Sequence, residues 1–290
     1  MDTEISVVIP TYNRAHLLER TVPSYIQPGV GEVILVDDAS TDYTSEIVGK
    51  LQERYPLIRY IRLPQNQRQM YAKNRGIDAA RYPLIYFGDD DSFIIPGSIQ
   101  RLVDVIKTQY ADIAGAKALY MNSLDDLTNI EQFIRNYDHK ANDTQEIADL
   151  VNLQFNFTLS TEFPVEVPVT PACFLIKKEW AQKVLFDENY KINAYREETD
   201  FLVRAYLNEA KIFYEPKAIQ INLPRTLATG GAHAKGKLIW YLACIYNNWY
   251  FLKKNYFALS QKCALPHNVY AMQWMFMMRG LRKIISKFFP

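Results

Sequence analysis

Three aspartates in a row, Asp89, Asp90 and Asp91, follow an apolar run in "YFGDDDS" (residues 86–92). Carboxylates this close repel one another unless a cation or hydrogen-bond donors share their charge. Two more acidic clusters accompany them: Asp37 and Asp38 at the end of "EVILVDD" (32–38), and Glu197, Glu198 and Asp200 in "EETD" (197–200). An all-oxygen set suits Mg²⁺ or Mn²⁺, which commonly keep waters and bind diphosphate oxygens through one or two protein carboxylates. Any single cluster is also what a solvated turn or a helix cap would show. Clusters ending two parallel strands converge on one crevice, which favours a shared cation and a diphosphate for the set.

The elements that must position these acids alternate apolar runs with helical patterns, as expected for strands buried on both faces of a largely parallel sheet with crossover helices. "ISVVIP" (5–10), "EVILVDD", "LIRYIRL" (57–63) and "PLIYFG" (83–88) read as the first four strands. Helices are expected in the segments between them, the first with Asn13 as its cap. In open α/β sheets ligands bind outside the carboxyl ends of the strands, where this layout puts the triplet. A helix over about 97–108 and a strand in "DIAGAKALYM" (112–121) continue the pattern; residues 122–159 break it and read as an insertion near the site. Order returns with "CFLIKKEWAQKVLF" (173–186) and with a helix opening at "EETD" that runs into a strand.

The composition, 49% hydrophobic and 22% charged over 290 residues, is that of a globular enzyme rather than a disordered chain. Cys173, Cys244 and Cys263 form no CxxC pair, which argues against a disulfide framework or a zinc site and for a reducing compartment. No secretory leader precedes Ile5, so a cytoplasmic protein is expected. The net charge of +1 conceals an asymmetry: no Asp or Glu follows Glu215, whereas eleven Lys and Arg do. The two parts face different partners, and nothing points to nucleic acid.

"SVVIPTYNRAHLLERTV", "ILVDDASTDYT", "AKNRGIDAA", "YFGDDDSFIIPGSI" and "REETDFLVRA" occur in the order and rough spacing of the family 2 inverting glycosyltransferases, which the chain resembles over about residues 4–220. The resemblance implies a GT-A fold: an α/β domain with a mostly parallel central sheet, here taken as residues 1–233 (nucleotide-sugar half 1–120, acceptor-side half 121–233), followed by a helical extension over 234–290. It implies transfer of a sugar from a nucleotide-diphosphate sugar, UDP- or dTDP-linked, to an acceptor hydroxyl in polysaccharide, lipopolysaccharide or glycolipid assembly. The triplet resembles the DXD motif that holds a divalent metal under the donor's diphosphate, with Asp89, Asp90 and Asp91 dividing ribose contact and metal ligation. The family's nucleotide pocket falls on Pro10, Thr11, Tyr12, Arg14, Asp38, and Arg68 or Asn74. A carboxylate at Asp38 suits the imide N–H of uracil or thymine, and Tyr12 offers a surface to a base.

The family's base is the second acid of an "ED"-like pair, which here is Glu198, with Glu197 and Asp200 as the other acids of the motif. An inverting transfer needs a carboxylate to take the acceptor's proton as its oxygen attacks the anomeric carbon; acids at a helix start also complement its dipole. "TGGAHAKGK" (229–237) resembles a loop closing over the donor, with His233, Lys235 and Lys237 near the leaving group's charge. His16, His139 and His267 read as structural or solvated.

The tail is basic and aromatic. Arg279, Arg282, Lys283 and Lys287 recur at helical steps opposite Leu281, Ile284, Ile285 and Phe288, an amphipathic helix with a cationic face. "VYAMQWMFMM" (269–278) is too short to span a bilayer, which takes about 20 residues. Such a helix suits the surface of an anionic membrane, and equally packing on the catalytic domain or on a second copy in a homo-oligomer. A dinucleotide oxidoreductase would need a glycine-rich turn where "TYNRAH" stands. A sugar-phosphate nucleotidyltransferase would open on a glycine-rich basic loop, and a non-catalytic carbohydrate-binding module would have lost the acids.

Overall fold

The computed structural model describes residues 5–229 and 236–288. Strand β1 (Ile5–Thr11) is buried at every position. Its side chains alternate between two cores, Val8 joining one and Val7 and Ile9 the other, as the two-residue period of a strand dictates. Helix α1 (Ala15–Thr21) leads to β2 (Val30–Asp37), α2 (Thr44–Arg54), β3 (Ile58–Arg62), α3 (Arg68–Ala79) and β4 (Leu84–Phe87). These strands pair in parallel in the order β3-β2-β1-β4.

Next come β5 (Ser92–Ile94), α4 (Ser98–Thr108), β6 (Ile113–Tyr120), α5 (Ile130–Arg135), α6 (Thr144–Ile147) and the two-residue strands β7 (Ala148–Asp149), β8 (Gln154–Phe155) and β9 (Val165–Glu166). They are followed by β10 (Phe174–Lys177), α7 (Lys178–Val184), α8 (Glu197–Leu207), β11 (Ile212–Asn222), α9 (Lys237–Cys263) and α10 (Val269–Phe288). The sheet continues β4-β10-β6-β11-β5, with β9 on β11. The expected parallel arrangement therefore holds through β4 and then becomes mixed. β10 is antiparallel to both its neighbours, because residues 122–173 return the chain to the end of the sheet where β6 finished.

That expected insertion lies on the sheet rather than apart from it. Phe155, Phe157 and Leu159 pack against the main core, and Lys117 of β6 donates to Tyr137 O and Ser160 Oγ. The main core, under α3, α7 and α8, gathers Phe87, Phe174, Phe186 and Phe201, with the Phe186 and Phe201 rings stacked at 4.3 Å. Helices α9 and α10 form an antiparallel hairpin: Tyr241 Oη donates to Met277 O at 3.1 Å, and Trp249 meets Tyr270 at 5.6 Å between ring centroids. Phe251, Leu252, Leu259 and Met272 from this hairpin are buried in the main core. The inner face of α9, with Met272 of α10, thus packs on the catalytic domain, whereas Leu281 of the expected amphipathic stretch is exposed.

Candidate active site

A cleft of about 560 Å³ opens beyond the carboxyl ends of β1, β2 and β4. Pro10, Thr11, Tyr12 and Arg14 line it from the end of β1, Asp38 from β2, and Asp89, Asp90 and Asp91 from β4. Asn66, Arg68 and Gln69 close one side at the start of α3; residues 191–194 and Glu198 close the other.

The triplet does not face three vacant surroundings. Arg14 Nη1 donates to Asp90 Oδ1 at 2.8 Å and to Asp91 Oδ2 at 2.6 Å. Thr11 Oγ1 donates to the other oxygen of Asp90 at 2.8 Å. Asp90 is thus buried and bonded at both oxygens, while still lining the cleft. The Asp89 carboxylate receives the Cys173 thiol, 3.2 Å from Oδ2. The Tyr25 hydroxyl donates to its carbonyl at 3.0 Å. Burial raises the pKa of Asp89 and of Asp90, with Lys73 pulling the first down and Arg14 the second. Asp89 and Asp91 thus each keep a carboxylate oxygen without a hydrogen-bond partner among the described residues.

Asp38 is already at work. Its two oxygens accept the backbone N–H groups of Gln67 and Arg68 at 2.6 and 2.7 Å, which anchors the start of α3. Burial nevertheless raises its pKa above the ordinary carboxylate value, and each oxygen has a second lone pair to offer a ligand. Arg68 lies in the left-handed region at φ 74° and donates to Tyr190 O at 2.9 Å. Asp37, beside it, is spent on Ser40 N and Tyr60 Oη.

The acids that open α8 separate sharply. Lys73 of α3 extends its ammonium to Glu197 Oε1 at 2.9 Å and to Glu198 Oε1 at 2.7 Å, and lies 4.9 Å from the centre of the Phe186 ring. Glu197 is fully enclosed, its Oε1 also taking Gln69 Nε2 and its Oε2 having no partner. Burial first, and then the charge of Glu198, push its pKa far up. Glu198 is 23% exposed at its side chain and faces the cleft. Burial raises its pKa, but the charge and bond of Lys73 together with its bonds to Glu197 and the backbone outweigh burial and hold the group below the ordinary value. Lys73 was not among the sequence candidates. It lies inside the "AKNRGIDAA" helix, flanked by buried Ala72 and Asn74, and nothing in the sequence around it points to its distant partners.

Two candidates are occupied elsewhere. Asn74 does not line the cleft: its amide donates to Phe186 O and Glu188 Oε1 and accepts from Phe186 N, tying α3 to the end of α7. Asp200 is buried on the far side of α8, where Arg204, Lys254 and Asn255 take its oxygens. His233 and Lys235 lie outside the described residues, as does the side chain of Lys237. His16 rests against Leu227 O at 3.1 Å.

The donor set is consistent with a hard divalent cation. Among the described residues no three acidic, histidine or cysteine side chains converge closely enough to hold a metal unaided. An ion here would take Asp89 and Asp91 oxygens and complete its shell with ligand and water oxygens, which is the habit of Mg²⁺ and Mn²⁺.

The family model described as "Glycosyl transferase family 2" matches residues 6–185. The chain is 34% identical over 116 residues to GalNAc(5)-diNAcBac-PP-undecaprenol beta-1,3-glucosyltransferase of Campylobacter jejuni, covering 39% of this chain and 37% of that protein. It is 27% identical over 217 residues to glycosyltransferase GlyG of Streptococcus pneumoniae, 74% of this chain and 68% of that one. For the first of these the match spans little more than a third of the relative's length. Among solved structures, S. aureus TarS 1-349 in complex with UDP-GlcNAc superimposes with a TM-score of 0.60 at 19% identity, over 86% of this chain and 66% of that one. GalNAc-T7 with UDP, GalNAc and Mn²⁺ gives 0.64 at 16% identity, over 94% and 53%. At those identities the likeness is one of fold, the GT-A fold. With the matched region covering more than half of its length, the chain belongs to glycosyl transferase family 2.

Proposed function

We propose that the protein transfers a sugar, with inversion, from a UDP- or dTDP-linked donor to a carbohydrate or lipid-linked carbohydrate acceptor. One observation carries this reading: a carboxylate paired with a buried lysine, Glu198, shares a cleft with the aspartates that end β4. The acceptor oxygen bonds to the anomeric carbon from the Glu198 side, its proton passes to Glu198, and the bond from that carbon to the diphosphate oxygen breaks. The nucleotide diphosphate leaves toward Asp89–Asp91. A divalent cation held by Asp89 and Asp91 would offset the charge of that leaving group. Arg14 keeps the triplet from flying apart when no donor is present, and Asp38 with Tyr12 receives the base.

The UDP ligands named with the two structural neighbours support the choice of base. The undecaprenol-linked acceptor in one relative's name supports an acceptor at a membrane. In this chain the corresponding feature is the outer side of the hairpin. Leu238, Leu242, Tyr246, Tyr270 and Trp274 are exposed there in a segment with no acidic residue, suited to anionic lipid. No helix among the described residues is long and apolar enough to cross a membrane, so contact is by the surface. Loss of co-sedimentation with phosphatidylglycerol vesicles in Trp274→Glu is expected, and unchanged partitioning removes the membrane from the proposal.

The transfer itself is tested with a thermal-shift panel of nucleotide diphosphates and UDP-sugars with and without Mn²⁺. UDP with Mn²⁺ is expected to stabilise the wild type, and Asp89→Ala and Asp91→Ala to lose that stabilisation. If no nucleotide stabilises the protein, or the two variants respond like wild type, the metal–diphosphate assignment is wrong.

A further inference from the structure

Helix α9 has an unusual interior for a helix packed on a hydrophobic core. Asn247, Asn248 and Asn255 are 0%, 0% and 3% exposed. Burying an amide is costly unless its donors and acceptors are met, and leucine at the same places would pack without that cost. Each of the three has a bond on one stretch of chain. Asn247 accepts Lys191 N at 3.0 Å and donates to Lys191 O at 2.7 Å and to Asn193 Oδ1 at 3.0 Å. Asn248 accepts Arg196 Nε at 3.1 Å, and Asn255 donates to Asp200 Oδ1 at 2.8 Å.

The stretch they reach is the wall of the cleft opposite Asp38. Residues 191–194 line it, and Glu198 follows one turn later. This wall has no regular structure before α8 begins at Glu197, and its backbone is strained. Ile192, Ala194 and Arg196 sit in the left-handed region at φ 58°, 51° and 75°, which costs a non-glycine residue energy and is rare for a β-branched one. Arg196, the residue before the acidic pair, is buried without a carboxylate partner among the described residues. Its guanidinium lies 5.0–5.9 Å from the rings of Tyr195, Phe155, Phe276 and Phe251. Such a conformation persists only where the surroundings over-determine it; here Asn247 and Asn248 of α9 bond the stretch at Lys191, Asn193 and Arg196, and Leu153, Phe155 and, from α10, Phe276 complete the enclosure of Arg196.

We propose that Asn247, Asn248 and Asn255 are positioning residues: together they hold the 187–200 wall in its strained course and so fix where Glu198 stands relative to the donor. The hairpin is then part of the support of the site as well as a surface. The proposal rests on the reading of Glu198 as the base. A small error in placing a reacting group costs far more in turnover than in donor affinity, and this split separates positioning from general stability.

The test uses the full chain, with Asn247→Ala and the milder Asn247→Gln. UDP release from the UDP-sugar giving the largest thermal shift, the calorimetric Kd for UDP with Mn²⁺, and hydrogen exchange of the UDP–Mn²⁺ complex are measured. Turnover in Asn247→Ala is expected to fall by about tenfold or more, with the UDP Kd within about twofold of wild type and faster exchange over residues 187–196. Asn247→Gln, which keeps the amide, is expected to fall between the two. Wild-type turnover in Asn247→Ala, or a loss matched by an equal loss of UDP affinity, overturns the proposal. Should Asn247→Ala fail to fold, wild-type exchange decides: protection of the Lys191 amide comparable to that of α9 supports the proposal, and rapid exchange there overturns it. Glu198→Gln, run in parallel, distinguishes the two readings. If it turns over like wild type, the base is misassigned; if it is inactive while Asn247→Ala is unaffected, only the positioning role falls.

Discussion

Lys73 of α3, 1% exposed, stands 2.7 Å from Glu198 and 2.9 Å from Glu197 at the start of α8, one cation serving two carboxylates. Removing the lysine leaves the acids buried against each other, so Lys73→Met is expected to cost about 3–5 kcal/mol of stability. Urea unfolding monitored by tryptophan fluorescence measures it.

Glu198→Gln keeps the shape and the contact with Lys73 but cannot take a proton. Turnover is expected to fall by about 10²–10⁴ while UDP affinity in the presence of Mn²⁺ stays near wild type, as read by calorimetry and a coupled UDP-release assay.

Gly76 sits where α3 presses on β1, and a Cβ there would come 2.2 Å from Val8 Cγ1. Overpacking of this kind costs about 1–3 kcal/mol. Gly76→Ala is therefore expected to lower the melting temperature in scanning calorimetry, and because α3 carries Lys73 and Arg68, turnover should fall with it.

Asp187 anchors the cleft wall to α9 through Lys254 and Tyr250. Burial raises its pKa, but the bonds from Lys254 and Asn189 outweigh burial and hold it below the ordinary 3.8. A carboxyl lowered in the folded state adds stability that is complete above the unfolded value and lost as pH falls through the folded one. The wild-type advantage in urea midpoint over Asp187→Asn is thus expected to be full at pH 7 and 5 and to shrink below about pH 4.

Much of the first hundred residues was legible because their signals are local. "ISVVIP" and "PLIYFG" are apolar at nearly every position, and such runs are buried on both faces of a sheet wherever they fall. Asp38, the triplet and Glu198 were legible as acids that need a reason. The wall at 191–194 was not, since its course relies on left-handed Ile192 and Ala194, residues whose types announce nothing of the kind. Cys173 carried no signal as the neighbour of Asp89, nor Lys73 as the partner of Glu198, 125 positions along the chain.

By itself the sequence determined the order of strands and helices, the crevice at the strand ends and the acids gathered there, because periodicity and chain order are properties of neighbouring residues. It singled out Glu198 only through its place in the motif, because Glu197, Glu198 and Asp200 are chemically alike. The tertiary structure adds which of them reaches the cleft. A helix turns about 100° per residue, so once α8 is seated between α7 and α9, Glu197 and Asp200 are fully buried against Lys73 and Lys254, and Glu198 is left facing the cleft.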